Sequence, residues 1–251
     1  MDAKEKFTGL AAAYTMGRPA YAEAFLADLY GRFGFSENSV IADIGSGTGK
    51  FAKQLMERGS YVYCVEPNKD MRDQCIIELE GYGNKSIVAG DAAHTALQEH
   101  SVDFITAAQA FHWFDTERFK RECKRIIRPG GRVFLIWNMR DMNAAVTQDS
   151  YEIFQKYCPK FKGFTGGLQA DDPRIESFFD GRYEKAEYGH PLRYDRDKFI
   201  NRSLSGSYSL KRHEPGYEEY IRELQLLFDK YAEHGVVTVP NKTVVYTGRA
   251  N

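Results

Sequence analysis

Short apolar runs alternate with longer amphipathic stretches from Val40 onward, and this alternation limits the possible folds more than any other feature. It is typical of βαβ units, whose strands lie parallel in one sheet. The predicted strands are Val40–Asp43, Tyr61–Glu66, Ser86–Ala89, Val102–Ala107 and Arg132–Asn138, and the predicted helices are Lys50–Arg58, Lys69–Glu80 and Thr116–Ile127. A turn at Pro129-Gly130-Gly131 is expected before the last of these strands. The sequence therefore predicts an α/β protein with a mostly parallel sheet.

The flanking segments are less regular. In residues 1–35, apolar and aromatic residues recur at helical spacing with a break at Arg18-Pro19, which predicts two helices that cap the sheet. After Asn138 we expect a helix over Thr147–Tyr157, loop as far as Asp180, a strand over Arg182–Gly189, a long helix over Pro215–Glu233, and a terminal hairpin of Val236–Val239 with Thr243–Thr247. We interpret residues 1–251 as one domain, with a cap (1–35), a core (36–138) and an insertion followed by C-terminal strands (139–251).

Composition excludes several classes of function. Lys and Arg (34) nearly cancel Asp and Glu (35), so no global field favours nucleic acid or an acidic membrane. The charged start is unlike a signal peptide, and no run of 18 apolar residues occurs. The four cysteines have no Cys-x-x-Cys spacing, so neither a zinc site nor a redox pair is predicted. We expect a cytoplasmic monomer or homodimer with no metal and no membrane partner.

The segment Asp43-Ile-Gly45-Ser46-Gly47-Thr-Gly49 lies directly between a predicted strand and a predicted helix. Glycines at alternate positions let the backbone approach a ligand closely, beside the free N–H groups of the helix start. Lys50 stands where a dinucleotide fingerprint needs its third glycine or alanine, and Phe51 follows it where a phosphate loop needs Ser or Thr. Asp43 would repel a pyrophosphate but suits a ligand that carries a positive charge.

Two more acidic residues follow neighbouring strands. Glu66, before Pro67, ends the second strand about twenty residues after the glycine loop, where a carboxylate accepts hydrogen bonds from ribose hydroxyls. Asp91, before Ala92, follows the third strand, where it is expected to accept from an adenine amine. Because ligands of open α/β sheets bind at the carboxyl ends of the strands, these residues together predict a site for an adenosine-like molecule.

With these motifs, the sequence resembles the class I S-adenosylmethionine-dependent methyltransferases. The resemblance covers residues 40–138 and includes Arg128-Pro-Gly-Gly131 with the strand after it. Tyr14-x-x-x-Arg18-Pro19 and Gln109-Ala-Phe-His112-Trp113-Phe-Asp115 further resemble the type-11 branch that contains trans-aconitate methyltransferases. The resemblance implies a seven-stranded Rossmann-like sheet, helices on both faces, and an antiparallel pair formed by its last two strands, Arg182–Gly189 and Thr243–Thr247.

The same resemblance implies a cofactor, S-adenosylmethionine, with S-adenosylhomocysteine as the product. It places the following residues of the matched motifs and their neighbours at the cofactor: Tyr14, Arg18, Asp43, Gly45, Ser46, Gly47, Glu66, Pro67, Met71, Asp91, Ala92 and Gln109. By this analogy Gly45 and Gly47 contact the methionyl part, Met71 covers one face of the adenine, and Tyr14 and Arg18 form a lid.

The acceptor is expected to meet His112 and Trp113, which follow the fourth strand. If the acceptor is a hydroxyl or an amine, His112 is the candidate base, whereas a carboxylate is already ionised at pH 7 and needs none. Residues 182–212 contain eight basic and four acidic residues, and this excess of positive charge favours an anionic acceptor.

These observations favour methyl transfer to a small molecule, with a carboxylate as the candidate acceptor. A nicotinamide-dependent oxidoreductase is an alternative that the missing third glycine disfavours. A nucleic-acid methyltransferase would need a basic stripe and an Asn-Pro-Pro or Asp-Pro-Pro motif followed by an aromatic residue, both of which the sequence lacks. A non-catalytic nucleoside-binding module on the same fold stays open.

Overall fold

A computed structural model describes residues 19–164, 172–206 and 208–249. Within them, one seven-stranded sheet has the order β3-β2-β1-β4-β5-β9-β6. Its strands are β1 (Val40–Ile44), β2 (Tyr61–Val65), β3 (Lys85–Val88), β4 (Val102–Ala108), β5 (Ile127–Arg140), β6 (Tyr183–Gly189) and β9 (Asn241–Gly248). The first five strands are parallel, and β9 is antiparallel to both β5 and β6. The predicted mostly parallel sheet with an antiparallel last strand is confirmed.

Helices cover both faces of this sheet. They are α1 (Glu23–Gly31), α2 (Lys50–Met56), α3 (Lys69–Glu78), α4 (Thr116–Ile126), α5 (Ala145–Tyr157), α6 (Pro173–Phe179), α7 (Arg196–Leu204) and α8 (Tyr217–Tyr231). On one face, α4 buries Phe119, Cys123 and Ile126 at helical spacing against the sheet. On the other, Phe25 and Leu29 of α1 pack with residues of α2 and β1.

The strand order places the ends of β1 and β4 side by side, although the chain passes through β2 and β3 between them. The connections from these two strands leave toward opposite edges of the sheet, so a crevice is expected between them. The residues that follow β1 and β4 at this point begin at Gly45 and Gln109. The fold therefore brings the glycine loop next to the segment that contains His112.

The segment after β5 differs from the sequence-based prediction. The predicted terminal hairpin is wrong, because β8 (Val237–Val239) pairs with β7 (Leu192–Tyr194) in a separate two-stranded sheet. The predicted loop before Asp180 contains the helix α6. With α5, α7 and α8, the small sheet and its neighbours form two further apolar clusters, which contain Phe199, Phe228 and Tyr220.

Pro129-Gly130-Gly131 is also different from its prediction as a turn. The three residues lie inside β5, where the pairing shifts between Val102 opposite Ile127 and Phe104 opposite Arg132. Gly130 has φ +88°, and a Cβ on Gly131 would come within 2.5 Å of the backbone oxygen of Asp103. The extra residues are therefore accommodated as a bulge rather than as the end of a strand.

At the N-terminus, α1 corresponds to the second of the two predicted cap helices, and the first lies outside the described residues. All four cysteines are buried free thiols. In the described ranges, no helix combines the length and apolar character that a bilayer crossing needs. No three His, Cys, Asp or Glu side chains in these ranges are grouped closely enough to hold a metal ion.

Candidate functional site

The glycine loop after β1 has the backbone that only glycine adopts without strain. Gly45, Gly47 and Gly49 have φ of +68°, +56° and +80°. A Cβ at Gly45 would lie 2.7 Å from the Cβ of Ala110, so this glycine allows β1 to pack against the segment after β4. A Cβ at Gly47 would meet nothing within 4 Å. Gly47 therefore faces open space, as a ligand-binding loop requires.

Glu66 faces this loop from the end of β2. Its Oε2 accepts a hydrogen bond from the Gly47 N–H at 3.0 Å, and its Oε1 accepts from the Asn68 N–H at 2.9 Å. The residue is 7% exposed, and burial raises the pKa of its carboxyl group, while these two N–H groups and Arg72 act against the rise. Since each carboxylate oxygen has a second lone pair, the side chain can also accept from ligand hydroxyls.

Asp43 lies on β1 directly below the loop and is completely buried. Its Oδ1 accepts a hydrogen bond from the Thr106 hydroxyl at 2.7 Å, but its Oδ2 has no partner among the described residues. Burial raises the pKa of Asp43 to about 7, and the charge of Glu66 adds to the rise. A buried carboxylate oxygen without a partner is unusual, so Oδ2 is a candidate contact for a ligand.

Asp91 and Ala92 lie in a tight turn after β3. Asp91 Oδ1 accepts from the N–H groups of Ala93 and His94 at 2.9 and 3.0 Å, so its carboxylate is oriented by its own turn. Ala92 is 8% exposed. Met71 is buried in the first turn of α3, which follows Glu66 in the chain. The structure gives these residues defined positions at the strand ends and leaves their contact with an adenine a prediction.

Glu122 was not predicted, although it fixes the loop that contains Asp91. This buried residue of α4 accepts from the Thr95 N–H at 2.9 Å and from the Thr95 hydroxyl at 2.5 Å, and it also pairs with Arg125. These hydrogen bonds and Arg125 hold the pKa of the Glu122 carboxyl low against the opposing effect of burial. No local sequence pattern connects Glu122 with Thr95, which lies 27 positions earlier.

Gln109 follows β4 with φ +56°, a conformation that few residues other than glycine adopt. Two hydrogen bonds hold it there: its N–H donates to the Ile136 oxygen at 2.8 Å, and its Nε2 donates to the Asn138 oxygen at 3.0 Å. Asn138 also accepts from Thr243 and donates to the Ala20 oxygen. The end of β4 is thereby fixed to β5, β9 and the start of the described chain.

His112 and Trp113 lie in a short 3₁₀ turn, Phe111–Trp113, with their rings 4.7 Å apart. The indole Nε1–H of Trp137 donates to His112 Nδ1 at 3.5 Å, a long hydrogen bond. Arg174 Nη1 donates to the His112 oxygen at 3.3 Å and pairs with Asp172. The helix α6, which the sequence did not reveal, therefore supports the candidate acceptor-side residues.

The structure thus brings most of the predicted site residues to one edge of the sheet. Around the glycine loop it groups Asp43, Gly45, Ser46, Gly47, Glu66 and Pro67. Tyr14 and Arg18, the predicted lid, lie outside the described residues. Thr106 and Asn68 are additions: Thr106 donates to Asp43, and Asn68 caps α3 and donates its N–H to Glu66.

A family model described as a methyltransferase domain matches residues 42–135, from the strand before the glycine loop to the middle of β5. By this match, residues 42–135 resemble a methyltransferase domain of the type-11 branch. The match includes the glycine loop, Glu66, Asp91 and the His112 turn, so the site described above belongs to the domain. The resemblance found in the sequence is confirmed.

Curated relatives agree with this assignment. An uncharacterized methyltransferase from Mycobacterium tuberculosis is 34% identical over 152 residues, which are 61% of this chain and 60% of that protein. An uncharacterized methyltransferase-like protein from Schizosaccharomyces pombe is 27% identical over 80% of this chain and 78% of its own length. The chain thus spans about 60% of the length of the mycobacterial relative that it matches.

Among solved structures, a candidate type II methyltransferase from Anaeromyxobacter dehalogenans superposes with a TM-score of 0.65. It is 20% identical, and the superposition covers 93% of this chain and 98% of the other. At this identity the likeness shows the fold alone. It extends well beyond the core to most of the segment after β5.

Proposed function

We propose that this methyltransferase domain binds S-adenosylmethionine at the glycine loop and transfers its methyl group to a small molecule. One observation carries the proposal: two buried carboxylates, Asp43 and Glu66, lie at the ends of the paired strands β1 and β2, and Glu66 is hydrogen-bonded to the glycine loop. A pyrophosphate at this place would add negative charge to both. A ligand with hydroxyl donors and a positive charge would relieve them.

The residues present fit this cofactor. Glu66 has lone pairs for ribose hydroxyls while it holds the Gly47 N–H. The unpartnered Oδ2 of Asp43 is available for a cationic or hydrogen-bonding part of the ligand. Met71, Asp91 and Ala92 are proposed to enclose the adenine. When bound, the cofactor supplies a methyl group on a sulfonium, and the protein contributes alignment with the acceptor and exclusion of water.

We propose a carboxylate as the acceptor, because of the hydrogen bond between Trp137 and His112. Since His112 Nδ1 accepts a hydrogen bond from the indole, the neutral ring carries its own proton on Nε2. An Nε2–H group can donate to an acceptor oxygen but cannot remove a proton from it. His112 therefore orients an already ionised oxygen nucleophile, which needs no base, and Trp113 provides an adjacent flat surface. We place this reaction in the reducing cytoplasm, in line with the four free thiols.

Calorimetric titration with S-adenosylhomocysteine tests the cofactor assignment. Glu66→Ala should weaken binding about tenfold or more, since hydrogen bonds to a charged group are lost. Asp103→Ala is the matched control, because Asp103 also accepts a backbone N–H, that of Val40 at 2.8 Å, but at the opposite edge of the sheet. Equal affinities of the two variants, or binding of NADH in preference to S-adenosylhomocysteine, would contradict the proposal.

A further inference from the structure

Arg140, the last residue of β5, has an unusual environment for a charged side chain. Its guanidinium carbon lies 4.1 Å from the centre of the Phe164 ring. No carboxylate of the described residues lies within ion-pair distance of it, and no side-chain hydrogen bond from its guanidinium occurs among them. Among the described residues, the group is therefore stacked on an aromatic ring without a counter-ion.

A second arginine lies on α7, whose Ile200 and Leu204 pack in the same apolar cluster as Phe164. Arg202, on α7, likewise has no ion pair with any described carboxylate, and its Nε is buried without a partner. Its only hydrogen bond through a guanidinium N–H in the described ranges goes from Nη1 to the Ser205 hydroxyl at 3.3 Å. Burial lowers the pKa of Arg140 to about 10, and the positive charge of Arg202 lowers it further. The two cations thus destabilise each other.

No described carboxylate pairs with this charge. Three tyrosines also act on it: Tyr194 from β7, Tyr208 from the segment after α7, and Tyr220 from α8. Elsewhere in the described chain, two other arginines that lie over a phenylalanine ring have acidic partners: Arg132 pairs with Glu184, and Arg196 pairs with Asp229. An arginine pair in an aromatic setting without a carboxylate is costly unless an anion binds to it.

The position of the pair relates it to the proposed methyl-transfer site. Arg140 follows Asn138 by two residues on the same strand, and the Asn138 oxygen holds Gln109 at the end of β4. The side chains of Asn138 and Arg140 point to the same face of the sheet, since the strand alternates with a period of two. Arg140 therefore lies at the same carboxyl edge as the glycine loop, displaced toward the insertion.

We propose that Arg140 and Arg202 bind an anionic group of the methyl acceptor, a carboxylate or a phosphate that does not itself react. The proposal rests on the proposed function, because it assigns this pair to the acceptor of the same reaction. The planar guanidinium groups provide the paired N–H donors that such anions bind. The rings of Phe164 and the tyrosines provide an apolar wall for the carbon part of the acceptor.

The test is calorimetric titration of the full chain, saturated with S-adenosylhomocysteine, with succinate, inorganic phosphate and the uncharged succinamide. Succinate or phosphate should bind, and succinamide should not. Arg140→Gln and Arg202→Gln should each weaken anion binding about tenfold or more. Arg193→Gln is the matched control, because Arg193 is an exposed cation on β7 in the same part of the chain, and it should change the affinity less than twofold.

Each outcome separates the two proposals. If wild-type protein binds S-adenosylhomocysteine but neither anion, or if Arg193→Gln weakens binding as much as Arg140→Gln, the anion site is wrong and the cofactor site stands. If S-adenosylhomocysteine does not bind, the proposed function fails on its own measurement. Thermal unfolding supplies a second readout: an arginine kept for an anion should leave the melting temperature unchanged or higher when replaced by Gln, whereas a structural arginine should lower it.

Discussion

Asp43→Asn should stabilise the ligand-free protein more at pH 8 than at pH 4, when each is compared with wild type at the same pH. Burial raises the pKa of the Asp43 carboxyl from its ordinary value of 3.8 to about 7. The folded state therefore holds this proton more tightly than the unfolded chain does. Stability from this group is fully present below pH 3.8, falls as the pH rises toward 7, and stays low above it.

The size of the effect follows from the two pKa values. The interval from 3.8 to about 7 corresponds to roughly 4 kcal/mol as an upper bound, at 1.36 kcal/mol for each pKa unit. Asparagine removes the charge and keeps an oxygen for the Thr106 hydroxyl. Its amide nitrogen lacks an acceptor, which costs about 1–3 kcal/mol at both pH values. The change in the stability difference between pH 4 and pH 8 is independent of that cost.

Urea unfolding of both proteins across this pH range measures the difference directly. Thr106→Val provides a second variant, since it removes the hydrogen bond that opposes the rise in the Asp43 pKa. Its decline in stability with pH should be steeper than that of wild type. A constant difference between Asp43→Asn and wild type from pH 4 to pH 8 would refute the reasoning, because the carboxyl would then titrate alike in both states.

Four further substitutions test other parts of the site and the core. Gly47→Ala should cost about 1–2 kcal/mol of stability through its left-handed backbone, as measured by urea unfolding, and calorimetry should show weaker S-adenosylhomocysteine binding. Gly45→Ala should cost more stability, because its Cβ would meet Ala110. Phe178→Ala should lower the free energy of unfolding by about 3–5 kcal/mol, since this ring is fully buried against aromatic neighbours. Glu122→Gln should cost about 1–3 kcal/mol of stability at pH 7. Since the pKa of Glu122 is held below 4.5, this loss of stability should become smaller as the pH falls through the lowered pKa. Urea unfolding at each pH measures it.

The core of the fold could be predicted from the sequence because its signals are local. Apolar runs such as Val40–Ile44 and Tyr61–Val65 are buried strands of a parallel sheet. The alternate glycines of the glycine loop indicate a left-handed backbone, which the structure has. Glu66 and Asp91 could be placed because the ends of parallel strands share one edge of a sheet. Thr106 could not, since its contact with Asp43 joins residues 63 positions apart.

The segment after β5 was harder to predict because its helices are short and its strand pairing is distant. Asp172-Pro173 was interpreted as a break, but Asp172 caps α6 and Pro173 stands in its first turn, where proline is favoured. Buried and exposed side chains alternate over residues 237–239, as is typical of a strand. The neighbouring Pro240 does not form a hairpin turn, and the partner strand is β7, more than forty positions earlier. Only tertiary packing decides such pairings.

Four charged side chains without an ion pair among the described residues divide by sign along the carboxyl edge of the sheet. Asp43 and Glu66 lie at the glycine loop, whereas Arg140 and Arg202 lie toward the insertion. A protein selected for stability alone would pair or remove such groups, and sites that break this rule are expected to be functional. A cationic methyl donor would relieve the acidic end and an anionic acceptor would relieve the basic end. Binding of either proposed ligand should therefore raise the melting temperature, and both together should raise it more than either alone.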